Sequence, residues 1–190
     1  MSRPRLRTVV ADTSALVSLA VPRADAAYDT DTAPDPFQYL LTSCDVFVPP
    51  EVVAELRDIT QYQDIHSAAA NNVLAARNHY TVEDPYERDD TPDARPMFGL
   101  DDGETDGIIL ANALEVDGFL TDEFGGTNFP LIHAVLQGPR IVPTPRLIVD
   151  YARNGHMSHG EARTLITTIS PHRSWENSPY VTQLLQRLDA

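Results

Sequence analysis

The chain has 190 residues, a net charge of −14 and one cysteine, Cys44. That length makes one sizeable domain, or one domain with an extension, and leaves room for a buried core. A lone cysteine excludes a disulfide framework and a Cys-rich metal site, and no stretch of the sequence is apolar for long enough to span a membrane.

All 14 basic residues are Arg, and Asp far outnumbers Glu. Many solvated carboxylates without a single Lys read as adaptation to molar salt, the composition expected of a halophile. At about 1 M salt the Debye length is only ~3 Å, so self-repulsion is screened and local contacts decide binding. The acidity therefore weighs little against a polyanionic substrate. Met1-Ser2-Arg3-Pro4 has no apolar core of the signal-peptide kind, so a cytoplasmic location is expected.

Arg3, Arg5 and Arg7 form a small basic arm, read as a solvated terminus. Leu6 to Ala11 is an apolar run without alternation, which predicts a buried strand ending at Asp12. Thr13 or Ser14 is expected to cap a helix carrying Ala15, Leu16, Val17, Leu19 and Ala20 and ending near Pro22. Asp12 thus stands beyond a strand's carboxyl end, where sites form in open parallel sheets. Alone, it reads equally well as a capping residue.

Residues 22–36 read as a polar loop, followed by a short helix over Phe37 to Leu41. Asp45 to Val48 predicts a second strand. Pro49 and Pro50 then open a helix that turns Val52, Val53 and Leu56 inward. Glu51 and Glu55 share a face of that helix, and Glu55 can reach back toward the strand ends. Residues 62–79 read as a long helix. His66 and His79 are not at ligand spacing.

Thr81 to Pro96 is acidic and Pro-containing, a solvated insertion or a flap near the site. A helix follows, with Asp101 and Asp102 as capping residues and Ile108, Ile109, Ala111 and Leu114 as its apolar face. Asp106 falls near that apolar face, where a carboxylate needs a partner, a cation or a proton. Gly118 to Thr121 predicts a third strand, ending at Asp122. A helix over 130–136 and a strand over Arg140 to Val142 complete an alternating pattern that predicts a parallel sheet. From Thr144 the pattern is helical, over 144–153, 159–169 and 178–188, with Gly155 and Pro171 as breaks. The expected organisation is an α/β domain over 1–143 and a C-terminal helical extension over 144–190, packing on the core or on a partner. His156, His159 and His172 show no metal spacing.

Two strands end in Asp12 and Asp122, and two helix starts carry Glu55 and Asp106. In a doubly wound sheet these places converge. Carboxylates gathered together raise one another's pKa, and a hard divalent cation, Mg²⁺ or Mn²⁺, relieves them. Thr13 and Thr121 can add a hydroxyl, and Glu123 is a further accessory position.

The pieces Val-Val-Ala-Asp12-Thr-Ser-Ala-Leu, Pro-Glu-Val-Val-Ala-Glu55-Leu, Gly-Glu-Thr-Asp106-Gly-Ile-Ile-Leu-Ala and Phe-Leu-Thr-Asp122-Glu, in that order, resemble the PIN-domain nucleases, the family that includes the VapC toxins. The resemblance covers residues 6–143. It implies a three-layer α/β/α sandwich and a catalytic quartet of Asp12, Glu55, Asp106 and Asp122. Asp12, Asp106 and Asp122 would hold the metal, with Glu55 completing the shell or positioning water. The Gly103-Glu104 pair is similar to a PIN subgroup and adds Glu104. The implied activity is metal-dependent hydrolysis of RNA to a 5′-phosphate and a 3′-hydroxyl, with a protein antitoxin and a homodimer as further partners. Gly107 stands where the family usually has Ala, and residues 123–128 depart from its common pattern. A non-catalytic RNA-binding or RNA-processing assembly module on the same fold is the alternative. A phosphatase of the haloacid-dehalogenase type would want Asp where Ser14 stands.

Overall fold

The structure, a computed structural model, describes residues 6–24, 34–124 and 127–188. Arg3 and Arg5 of the basic arm, most of the 22–36 loop, and Gly125-Gly126 lie outside the described residues.

Five strands form one all-parallel sheet: β1 (Thr8–Ala11), β2 (Asp45–Val48), β3 (Thr81–Val82), β4 (Gly118–Leu120) and β5 (Arg140–Val142), in the order β3-β2-β1-β4-β5. Successive side chains of a strand face opposite sides, and the two faces close separate cores. Val9, Ala11, Val46, Val48, Leu120 and Val142 enter the larger one. Helices α1 (Thr13–Ala20), α2 (Pro36–Ser43), α3 (Pro50–Ile59) and α4 (Ile65–Ala75) cover that face. Val10 and Phe119 point the other way, under α5 (Asp102–Ala113) and α6 (Asn128–Val135), which bring Ile108, Leu110 and Ile132. The result is a three-layer α/β/α sandwich, as expected. Apolar side chains of α7 (Thr144–Arg153), α8 (His159–Arg173) and α9 (Pro179–Gln186), among them Ile148, Ile166 and Leu184, belong to the same cluster as Val9 and Leu16.

Several local expectations are corrected. Asp12 itself caps α1, with extended backbone and Oδ1 accepting the Ala15 N–H at 2.8 Å; neither Thr13 nor Ser14 does so. The strand stops one residue before the acid, so the acid inherits the cap. The 81–96 segment is not wholly a solvated insertion: Thr81–Val82 pairs with Phe47–Val48 as the sheet's edge strand. Two residues are too few to show a period. The 62–79 helix begins only at Ile65, capped by Asp64, which leaves Tyr62 in a turn. Asp101 caps α5 by accepting the Glu104 N–H at 2.7 Å, whereas Asp102 pairs with Arg95. Pro171 lies inside α8; it removes one donor, and the helix ends soon after at Ser174, in left-handed conformation with φ 57°. Among the described residues, no helix is long and apolar enough to cross a membrane.

Chain order reverses across the β1–β4 pair: β2 and β3 lie on one side of β1, β4 and β5 on the other. Asp12 follows directly on β1, and Asp122 stands two residues past the end of β4, at the switch point where open α/β sheets place ligands.

Candidate active site

Ser14 ties the two strand ends together. Its hydroxyl donates to Asp12 Oδ1 at 2.8 Å, and its oxygen accepts the Asp122 N–H at 3.0 Å. The Asp12 N–H donates to the Leu120 carbonyl at 3.0 Å. Asp122 Oδ1 accepts the Thr144 N–H at 2.8 Å, in the first turn of α7, so the C-terminal helices reach this carboxylate directly. Its Oδ2 is buried without a well-formed hydrogen bond. Burial raises the Asp122 carboxyl, and the Ser18 hydroxyl, Thr144 and the Arg173 charge pull it part of the way back.

In front of Asp12 opens a cleft of about 590 Å³. Asp12, Glu55, Asp101, Glu104 and Glu123 line it together with the hydroxyls of Thr13 and Ser14. Glu104 is only 3% exposed. Its Oε2 accepts from Asn128 Nδ2 at 3.3 Å, and its Oε1 is buried with no donor. Burial, then the negative charges of Asp101, Asp12 and Glu123, push the Glu104 carboxyl up to about 8. Asp12 is pushed up to about 7 by burial, with the Asp122 charge adding to it and Thr121, Ala15 and Ser14 opposing. For Asp12 and Glu104, burial and neighbouring negative charge outweigh the groups that lower them.

Glu55 reaches back from α3 as expected. The Thr13 hydroxyl donates to its Oε2, and its carboxylate lies against Gly103 at the start of α5, where a Cβ would collide with it. Burial raises the Glu55 carboxyl, while Thr13 and the Gly103 backbone restrain the rise. Thr121 is fully buried behind Asp12, and its Oγ1 accepts the Glu123 N–H at 3.2 Å.

Asp106 does not join this set. It is buried on α5, but it is absent from the cleft lining. Arg95 grips it from the 83–101 segment, and Tyr86 Oη donates to its Oδ1 at 2.5 Å. Glu104 and Asp106 are two residues apart on one helix, and such pairs do not share a face. The structure therefore brings Asp12, Glu55 and Glu104 into the cleft with Asp122 behind Asp12, and holds Asp106 apart. Among the described residues, no three His, Cys, Asp or Glu side chains form a ready-made metal shell.

The other side of the cleft is mixed. Tyr62, His66, His172 and Arg173 line it together with Asp64, whose Oδ2 lies 3.6 Å from His66 Nδ1. His66 Nε2 donates to the His172 carbonyl at 2.9 Å, which joins the start of α4 to the end of α8. Sequence reasoning missed this side, because its members are more than a hundred positions apart and follow no spacing. The one signal was an aromatic residue, Tyr62, in a polar stretch.

Compared with protein-family models, with curated proteins and with solved structures, the chain finds no match in any of the three.

Proposed function

We propose that the protein is a Mg²⁺- or Mn²⁺-dependent endoribonuclease of the PIN type. The observation that carries this reading is the buried Glu104 Oε1 with no donor, beside Asp12, at the end of the central strand. A buried carboxylate oxygen without a partner needs a proton or a cation. The donors are all oxygen, and carboxylate oxygens suit Mg²⁺ or Mn²⁺. Asp12 and Glu104 would hold the ion, with Asp122 behind Asp12. When bound, the ion would supply charge stabilisation for a phosphodiester undergoing hydrolysis.

The chain's own residues do the rest. Glu55, its carboxyl raised by burial and oriented by Thr13, can accept a proton from the attacking water. Ser14 keeps the Asp12 carboxylate and the Asp122 backbone in fixed relation. Asp106 serves as an anchor for the 83–101 segment. A cytoplasmic location, a halophilic source, a homodimer and an antitoxin partner are further proposals that rest on composition and on the family resemblance.

Cleavage of single-stranded RNA in molar KCl tests the reading. Activity is expected to vanish in EDTA, to return with Mn²⁺ or Mg²⁺, and to be lost in Asp12→Asn. Full activity in EDTA contradicts it. One observation favours a second reading, a non-catalytic RNA-binding module: Arg95 and Tyr86 already neutralise Asp106, an acid the family resemblance assigns to the metal. RNA binding without turnover in any divalent ion would select that reading.

A further inference from the structure

We propose that the side of the cleft facing the carboxylates is a subsite for single-stranded RNA, in which one unstacked base lies on the Tyr62 ring and the adjoining phosphate is held by Arg173 and His172. This deepens the nuclease reading above and rests on it for the identity of the polymer.

Tyr62 is 68% exposed in the turn between α3 and α4, and it lines the cleft. An aromatic ring left in water beside a concave polar site offers a stacking face to any base. Arg173 lies across the same cleft, at the end of α8, and its Nε is buried without a hydrogen-bond partner. A guanidinium at the wall of an open cleft is suited to a phosphate oxygen. The His172 ring lies edge-on to His66, with ring centroids 6.4 Å apart, and lines the cleft beside Arg173. His172 and Arg173 in the last turn of α8 also suit that helix's dipole. Helix stability alone does not account for the exposed Tyr62 ring on the same cleft, and the Arg173 charge also acts on the buried Asp122 carboxyl.

The geometry favours a single strand over a duplex. In a duplex both faces of every internal base are covered by its neighbours, so no base can lie on Tyr62 without being extruded. A cleft of about 590 Å³ is of small-ligand size and admits a splayed nucleotide, not a helix. The arrangement also explains how a chain of net charge −14 can hold a polyanion: the contacts are local, and long-range repulsion is screened in molar salt.

The test is binding, read separately from cleavage. Fluorescence anisotropy is measured with a labelled single-stranded RNA and with the same strand in a duplex, using the full chain in EDTA, from about 0.5 to about 2 M KCl. The single strand is expected to bind roughly ten-fold or more tighter than the duplex. Tyr62→Ala should weaken single-strand binding by roughly ten-fold, and Tyr62→Phe should restore it. Arg173→Gln should reduce the slope of log affinity against log salt by about one. Equal binding of the duplex, unchanged affinity in Tyr62→Ala, or no binding of either RNA overturns the subsite. Binding with these properties but without metal-dependent cleavage leaves the subsite standing and removes the nuclease reading. Cleavage that is indifferent to Tyr62 does the reverse.

Discussion

Arg95 and Asp106 form a two-point ion pair, with Arg95 Nε on Oδ1 at 2.8 Å and Nη2 on Oδ2 at 2.7 Å. The same guanidinium reaches Asp102 at 2.6 Å and Glu51 at 3.2 Å, so one Arg joins α3, α5 and the 83–101 segment. Its pKa is raised, chiefly through its hydrogen bonds to Asp106. Removing Arg95 leaves a buried carboxylate uncompensated. Because Arg95 is one-third exposed, we expect Arg95→Ala to cost about 2 kcal/mol and to lower Tm by roughly 4–8 °C. Asp106→Asn should destabilise the fold by a comparable amount yet keep metal-dependent cleavage, whereas Asp12→Asn should keep the fold and lose cleavage. Thermal melts and a cleavage assay on the three variants check this. Loss of metal-dependent cleavage in Asp106→Asn, with Asp12→Asn still active, would return Asp106 to the centre.

Stability should fall as pH rises while no divalent cation is present. Asp12 moves from an ordinary 3.8 to about 7, and Glu104 from 4.5 to about 8. Above their ordinary values the unfolded chain has released these protons while the folded protein still holds them, so rising pH favours unfolding until the folded values are passed. The contribution is fully present below about pH 4, is lost between about 4 and 8, and is flat above; it amounts to several kcal/mol at most. Asp117, held low by the Arg7 and Thr8 backbone, acts in the opposite sense at the acid end, so the clean window is about pH 5.5 to 8.5. Melts in EDTA should show Tm decreasing across that window. Mn²⁺ should raise Tm more at pH 8 than at pH 6, because the ion competes with protons for the same oxygens. A Tm that rises with pH in EDTA would contradict the raised carboxyls.

Two glycines of α5 are held by contact, not by turn geometry. A Cβ on Gly103 would strike the Glu55 carboxylate, and one on Gly107 would come within 2.8 Å of Phe119 Cε2. Gly103→Ala should displace Glu55 and lower kcat. Glu55→Gln should lower it by roughly 10²-fold or more, and the double variant should be no slower than Glu55→Gln. Gly107→Ala gains helix propensity of about 1 kcal/mol but overpacks the β4 face by about 1–3 kcal/mol, for a small net loss. Phe119→Leu should turn that loss into a gain. The same contact gives the physical reason for Gly at 107: Phe119 already fills the volume a Cβ would need.

Much of the sheet was legible because buried parallel strands are apolar runs bounded by turn residues. Asp45–Val48 and Arg140–Val142 fall where the sequence places them. The two-residue strand Thr81–Val82 was not legible, since its strandedness comes only from pairing with Phe47–Val48. The strand-end acids were legible too: a carboxylate that closes an apolar run must sit at the rim. The division between Glu104 and Asp106 was not. Both stand near the start of one helix, and which of them faces the cleft depends on where Arg95 lands, eleven residues before Asp106 and without periodic order. That Tyr62 and Arg173 share a cleft was not legible for the same reason; only the fold makes them neighbours.

Whether Asp12 and Glu104 hold a divalent cation can be measured directly by electron paramagnetic resonance of Mn²⁺ titrated into the protein in molar KCl, where weak surface binding is screened. Saturable Mn²⁺ binding is predicted for the unaltered chain and for Asp106→Asn, with loss in Asp12→Asn and in Glu104→Gln. No saturable binding, or a site that disappears in Asp106→Asn and survives in Asp12→Asn, would contradict the account.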